Sequence, residues 1–379
     1  MKKIVYISGT RADYGIMSNL LKKADKSPDF EVRVIATGMH LMKKFGSSID
    51  EIKKDRLDTI IVNCTFEKDD AVSMLRFLGK FIDRITIQLT GLQPDFLFVL
   101  GDRIEALGGA IVGSYLSIPV VHFHGGEISS NFDDMTRHAI SKLSHLHLCA
   151  TEKSAERIIR MGENPLRVKV VGSLSLENIK SMKMVSKYDL CKMLELKADE
   201  PIILILQHPV TLEENSSYLQ MVNTLEAARQ LGCQAVVLYP NSDPGNSGII
   251  KAINKYKSNK RFKIEKNLNY MLFVSLMNCA DAMAGNSSSG IIEAPYFRLP
   301  VVNIGSRQSG RERSGNVIDS TYDLGEIKKN ISYALSKRFK NKVRNIRNPY
   351  DKGNSSGIVL DILKNIKVDK KFLQKTLAY

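Results

Sequence analysis

Short apolar runs, each followed by a Gly- or Asp-bearing loop and then a helical stretch, recur along most of the chain. In the first half the strand candidates are Lys3–Ile7, Glu31–Ala36, Thr59–Asn63, Asp95–Leu100, Val120–Phe123, Leu146–Ala150 and Lys169–Val171. A second series comprises Ile202–Leu206, Ala235–Tyr239, Phe262–Glu265, Ala280–Ala284 and Val301–Ile304. Most are continuously apolar, as strands are when helices cover both faces of their sheet. Helical patterns at Tyr14–Ala24, Ile104–Leu116, Met135–Leu143, Ser154–Met161, Tyr218–Leu231 and Leu268–Cys279 separate them. This alternation predicts an α/β fold of parallel, doubly wound sheets. Twelve strands are too many for one small sheet, so two Rossmann-like domains are expected, residues 1–178 and 179–354. The boundary falls in the polar, Lys- and Met-rich stretch Ser173–Tyr188, read as a helix. An amphipathic helix at Ser355–Ile366 is expected to bring residues 355–379 back onto the first domain. In such folds ligands bind beyond the carboxyl ends of the strands, here in the cleft expected between the domains.

Composition narrows the class. With 43% hydrophobic and 25% charged residues among 379, the chain reads as soluble and globular. No apolar run is long enough to span a bilayer, and MKKIVYISGT reads as a first strand rather than a signal segment. Five cysteines form no CxxC pair and leave an odd count, which points to free thiols and a cytoplasmic location. The net charge of +15 is concentrated partly in Lys337–Arg347 and Lys367–Lys371, which read as solvated helix faces. No zinc-finger spacing or RNP-like motif supports nucleic-acid binding. A small polyanion, such as a nucleotide diphosphate, suits the charge equally well.

Candidate chemistry lies at the strand ends. Ser8-Gly9-Thr10-Arg11-Ala12-Asp13-Tyr14-Gly15 joins the first strand to a helix. Its backbone N–H groups and Arg11 would favour phosphate, but taken alone the loop reads better as a plain strand–helix turn with Thr10 or Asp13 as the cap. Ala284-Gly285-Asn286-Ser287-Ser288-Ser289-Gly290 forms a second candidate cradle. Glu293, about one turn into the helix expected there, is placed to accept hydrogen bonds from ribose hydroxyls, and Arg307 to complete a cationic clamp. Asp102-Arg103, His122, His124, Glu127, Asp133-Asp134 and Arg137-His138 concentrate acids and imidazoles in the first domain. Side chains alternate along a strand, so one of His122 and His124 is expected to be a satisfied core histidine. No HExxH or Cys partner supports a metal site. Gln207-His208-Pro209 ends a strand of the second domain and adds another imidazole.

Together SGTRADYG, GDR, HGGE, DD…RHAISKLSHLH, QHPVT, GNSSSGIIEAP and Arg307 resemble the hydrolysing UDP-N-acetylglucosamine 2-epimerases of sialic and legionaminic acid biosynthesis. The resemblance implies a fold like the GT-B glycosyltransferases, a UDP-sugar substrate, UDP as product, no cofactor, and a homo-oligomer, dimer or tetramer. By the same resemblance Arg11, Arg103, Ser287, Ser288, Glu293 and Arg307 contact UDP, with Phe273 near the uracil. Asp102 and Asp133 match catalytic acids, and His208 a catalytic histidine. Where family members acting on UDP-N-acetylglucosamine can carry a catalytic Glu, this chain has His124; either Glu127 takes over or His124 itself acts. The expected reaction turns UDP-N-acetylglucosamine and water into N-acetylmannosamine and UDP through a glycal. The HxHGGE form also resembles enzymes acting on UDP-N,N'-diacetylbacillosamine. A non-hydrolysing 2-epimerase, a GT-B glycosyltransferase and a non-enzymatic UDP-sugar sensor are the rivals.

Overall fold

A computed structural model describes residues 1–42, 48–67, 70–129, 133–241, 245–266 and 268–379. The first sheet contains β1 (Lys2–Ser8), β2 (Phe30–Ala36), β3 (Asp58–Ile61), β4 (Phe96–Leu100), β5 (Val120–Phe123), β6 (Leu146–Cys149) and β7 (Val168–Val170). The second contains β8 (Ile202–Leu206), β9 (Gln234–Leu238), β10 (Phe262–Glu265), β11 (Ala282–Gly285), β12 (Val301–Ile304) and β13 (Val317–Ser320). Their orders are β3-β2-β1-β4-β5-β6-β7 and β10-β9-β8-β11-β12-β13, with every pairing parallel. The expected α/β class of two doubly wound parallel sheets stands. The first unit carries the seven-stranded sheet and regains the chain at Tyr350–Tyr379, while the second carries the six-stranded sheet within Ile179–Pro349.

The first sheet is buried on both sides. Ile4 and Tyr6 of β1 face a core shared with the helix Arg11–Asp25 and with Val359 and Leu363 of the helix Ser355–Asn365. Val5 and Ile7 point the other way, toward Phe77, Phe81, Ile85 and Leu89 of the helix Ala71–Leu92. Each such side chain contributes about 1.5–3 kcal/mol of burial, which explains why strands as apolar as β4 (FLFVL) and β8 (IILIL) are central.

Several elements lie outside the expected ones: the helices Ala71–Leu92, Asn246–Lys255 and Leu324–Leu335 and strand β13. Ser173–Tyr188 is not one helix: Leu174–Ser181 ends, and Ser186 then caps a second helix, Lys187–Met193, by accepting the Asp189 N–H. All five cysteines are free thiols. Among the described residues, no helix is long and apolar enough to cross a membrane.

Strand order reverses between β1 and β4 in the first sheet and between β8 and β11 in the second. At such reversals the flanking connections leave on opposite faces, opening a crevice at the carboxyl ends. Ser8-Gly9-Thr10, Gly101-Asp102, Gln207-His208 and Asn286-Ser287 occupy those four ends.

Candidate functional site

The end of β1 closes on itself. Thr10 caps the helix Arg11–Asp25, and its hydroxyl accepts the Asp13 N–H at 3.2 Å. The Asp13 carboxylate in return accepts the N–H groups of Gly9 (3.1 Å) and Thr10 (2.9 Å) and the hydroxyls of Tyr6 (3.1 Å), Ser8 and Thr10 (3.0 Å). The plain-cap reading of this loop holds over the phosphate reading, because a buried carboxylate already takes two of its N–H groups. Arg11, at the helix start, pairs with Glu51 at 3.6 Å. Arg103 follows Asp102 in sequence, but its guanidinium forks onto buried Glu105 at 3.2 and 3.3 Å.

A tighter convergence surrounds Arg137, on the helix Asp133–Leu143. Its guanidinium donates to Asp102 after β4, to Asp134 at 2.5 Å, and to the Glu127 carbonyl at 2.9 Å. Only 3% of this side chain is exposed, so the two carboxylates compensate a charge that would otherwise be costly to bury. Asp133 is the first residue of the same helix and half-buried. Sequence reasoning quoted Arg137 within a motif but gave it no role. The i,i+3 spacing from Asp134 was the available signal.

The two histidines of β5 and its end divide as alternation requires. His122 is fully buried, with Nε2 2.8 Å from the Gly101 carbonyl and Nδ1 3.1 Å from Ser141 Oγ. Burial first, then neighbouring His147 and Arg137, push its pKa down to about 3. It therefore stays neutral and braces the turn that carries Asp102. His124 sits just beyond the strand with φ +58°, a left-handed conformation uncommon outside glycine. Its Nδ1 lies 3.0 Å from Glu127 Oε1, and both side chains are buried.

The second unit builds its loop on an amide. Gly285 has φ +133°, and a Cβ there would stand 2.0 Å from the Leu206 carbonyl, so only glycine lets β11 approach β8 this closely. Asn286, 1% exposed, then accepts the His208 N–H at 2.7 Å and donates to the His208 carbonyl at 2.9 Å. Its own carbonyl accepts from Arg307 (3.3 Å) and Gln308 (3.0 Å). Asn286 thus ties together three of the elements expected at the site, although the sequence reading named it only as part of the cradle loop and gave it no role of its own. His208 Nδ1 accepts the Asn241 N–H at 3.0 Å, which puts the ring hydrogen on Nε2. Burial, then the Arg307 charge, lower its pKa to about 3.

Ser287 Oγ lies 2.7 Å from Ser289 Oγ, and Ser288 is half-buried. The helix that follows is only four residues, Ser289–Ile292, so the expected helix-terminus dipole is small and Glu293 closes the helix instead of standing within it. Phe273 is half-buried on the helix Tyr270–Cys279. On that helix Tyr270 has a buried hydroxyl without a partner among the described residues, and burial, then the Glu293 charge, raise its pKa. Among the described residues no group of three or more His, Cys, Asp or Glu converges as a metal site requires.

Residues 22–364 match the model of a family described as UDP-N-acetylglucosamine 2-epimerase. The UDP-N,N'-diacetylbacillosamine 2-epimerase (hydrolyzing) of Legionella pneumophila is 39% identical, with 100% of each chain covered. The GDP/UDP-N,N'-diacetylbacillosamine 2-epimerase (hydrolyzing) of Campylobacter jejuni is 36% identical, with 97% of each covered. Among solved structures, UDP-GlcNAc 2-epimerase from Neisseria meningitidis bound to UDP-GlcNAc superposes with a TM-score of 0.80 at 19% identity, covering 95% of this chain and 99% of that one, a likeness of fold.

Proposed function

The chain belongs to the UDP-N-acetylglucosamine 2-epimerase family, and from that premise we propose that it hydrolyses a UDP-2-acetamido sugar with inversion at C2. Of the two candidate sugars, N,N'-diacetylbacillosamine is favoured by both relatives quoted above, and N-acetylglucosamine by the description of the family. The observation that carries the reaction type is the Arg137 knot, which binds Asp102 and Asp134 and is tied through the Glu127 carbonyl to the His124–Glu127 pair. Acids and bases this concentrated suit proton transfer on carbon better than simple ligand retention.

C2 has no adjacent carbonyl, so its proton leaves only as the anomeric bond breaks. A base takes the proton, the C–H electron pair becomes the C1=C2 bond, and the C1–O pair departs with UDP. Charge then grows on the β-phosphate. Ser287, Ser288 and Arg307, with Arg11, would stabilise it, and His208 with hydrogen on Nε2 is suited to donate to a phosphate oxygen. Glu293 and Phe273 would hold the nucleoside, while Arg103 acts through Glu105. Water then adds its oxygen to C1 and loses a proton, and an acid of the Asp102 and Asp133 set protonates C2 on the opposite face. One water is consumed, and the products are UDP and the free epimeric sugar.

The same reading assigns the enzyme to the cytoplasm, to sialic or legionaminic acid biosynthesis, and to a homo-oligomer. The free thiols support the compartment. Incubation with each UDP-sugar in deuterated water tests the reaction. Deuterium at C2 of a released free sugar is expected; UDP-sugar as the sole epimerised product, or release only when an acceptor is added, would overturn it.

A further inference from the structure

His124 and Glu127 are two residues that sequence alone leaves as alternatives, yet their geometry is asymmetric. A carboxylate only accepts hydrogen bonds, so the 3.0 Å contact to Glu127 Oε1 puts the ring hydrogen of neutral His124 on Nδ1. Nε2 then carries the lone pair. That atom is buried and has no hydrogen-bond partner among the described residues, in a residue only 9% exposed. A buried polar atom without a partner costs about 1–3 kcal/mol, and such atoms cluster where a ligand supplies the partner. The backbone at His124 is held at φ +58°, a second cost concentrated on this residue.

Glu127 stands behind the ring. Its carbonyl accepts from Arg137 at 2.9 Å, the preceding Gly126 carbonyl accepts from Arg157, and its carboxylate lies close enough to buried Cys149 to add to the rise in that thiol's pKa. The groups around the imidazole are therefore Glu127, Arg137 with Asp102 and Asp134, and neutral His122.

We propose that His124 Nε2 is the base that takes the C2 proton, and that Glu127 is a positioning residue acting through it. This rests on the 2-epimerase reading and sharpens it. As Nε2 bonds to the proton, the C2–H pair forms C1=C2 and UDP leaves with the C1–O pair. The resulting imidazolium is held against the Glu127 carboxylate and returns its proton to solvent, while C2 is reprotonated from the carboxylic-acid side. The arrangement is that of a histidine–carboxylate dyad, with the carboxylate fixing tautomer and charge.

The full-length protein tests this with UDP-N,N'-diacetylbacillosamine and UDP-N-acetylglucosamine. His124→Asn keeps a residue that tolerates positive φ, and should lower kcat for UDP release roughly 100-fold or more with KM within about threefold. Glu127→Gln, which keeps a side-chain oxygen that can accept from Nδ1, should lower kcat less than His124→Asn does, with KM within about threefold. His124→Glu should recover activity relative to His124→Asn. Retention of most activity by His124→Asn would overturn the proposal, as would a loss in Glu127→Gln that falls on KM and not on kcat. A wild-type protein that releases no UDP from either sugar would instead sink the 2-epimerase reading itself.

Discussion

The two strand-order reversals use different chemistry to present polar groups. In the first unit buried charges are balanced against one another: Arg137 against Asp102 and Asp134, Arg103 against Glu105. In the second, the centre is neutral: the Asn286 amide, the serine hydroxyls and an imidazole kept uncharged by burial, with Arg307 as the cation. A buried ion network is costly to disturb and holds its carboxylates in one geometry. Neutral donors around one cation suit an anion that must arrive and leave. The contrast matches the proposed division, with proton transfer in the first unit and phosphate held mainly by the second, Arg11 aside.

The sharpest way to break that division is to neutralise the acids. Asp102→Asn and Asp133→Asn should each reduce sugar release by roughly 100- to 10,000-fold while UDP affinity, by calorimetry, stays near wild type. A matching loss of UDP affinity would mean that the first unit also retains the nucleotide. Arg137→Met comes next. It leaves Asp102 and Asp134 facing each other without their cation, which should cost about 3–5 kcal/mol of stability in urea titrations and most of the activity.

Acid should act through groups in both units. Burial holds His122 and His208 at about 3 and His145 at about 4, against an ordinary 6.5. Such lowered values favour the neutral folded form, so their contribution is present above 6.5 and lost as pH falls toward 3. Glu163 adds to this. Burial pushes its carboxyl up, but hydrogen bonds from His147, Lys142 and Lys375 overcome that and hold it at about 2 against 4.5. Its contribution is present above 4.5 and fades toward 2. Lys375 also donates to the carbonyls of Ser141 (3.1 Å), Lys142 (2.6 Å) and Ser144 (2.7 Å), closing the helix that bears Asp133 and Arg137. The urea midpoint should therefore fall between about pH 7 and about pH 5, and more steeply below about pH 4. A flat profile would mean that these histidines titrate normally.

Sequence reading reached several strands to the residue. The ends of β5, β8 and β12 were legible because continuous apolar runs bounded by polar turns leave little choice, and those of the edge strand β10 (FKIE) were legible from its alternation. It missed the helix Ala71–Leu92, whose buried Phe77, Phe81, Ile85 and Leu89 repeat every fourth residue but are interleaved with β-branched Ile82, Thr86 and Ile87. Strand β13 is short and half-exposed, with no apolar run to announce it. At the candidate site the residue types were visible, but their partners were not. Arg137 meets Asp102 across 35 positions, and no periodicity encodes that contact. Asn286 was hidden for the opposite reason, since its amide looks like turn chemistry until β8 is laid beside it.

The proposed role of the second unit as the phosphate holder is the next comparison to sharpen. Ser287→Ala combined with Arg307→Ala should weaken UDP binding by roughly 10- to 100-fold, the scale of one or two hydrogen bonds to a charged group. The loss should appear in KM and in the UDP dissociation constant before it appears in kcat. Unchanged affinity would move the phosphate elsewhere.

The smallest effect tests the closed loop of the first unit. Thr10 spends its hydroxyl and its N–H on Asp13, and Asp13 spends its carboxylate on Gly9 and Thr10. If the loop is only a helix cap, Thr10→Ala removes both hydrogen bonds of the hydroxyl to Asp13 and should cost about 1 kcal/mol of stability. In a unit of this size that is a fall of roughly 2–4 °C in Tm. UDP affinity should not move, because the N–H groups that could reach a phosphate already point at the Asp13 carboxylate. A stability loss with unaltered UDP binding in Thr10→Ala, beside the opposite pattern in Ser287→Ala, would separate two loops that look alike in sequence. Were Thr10→Ala to weaken UDP binding as much as Ser287→Ala does, the first loop would have to open to take phosphate, and the contrast between the units would fail.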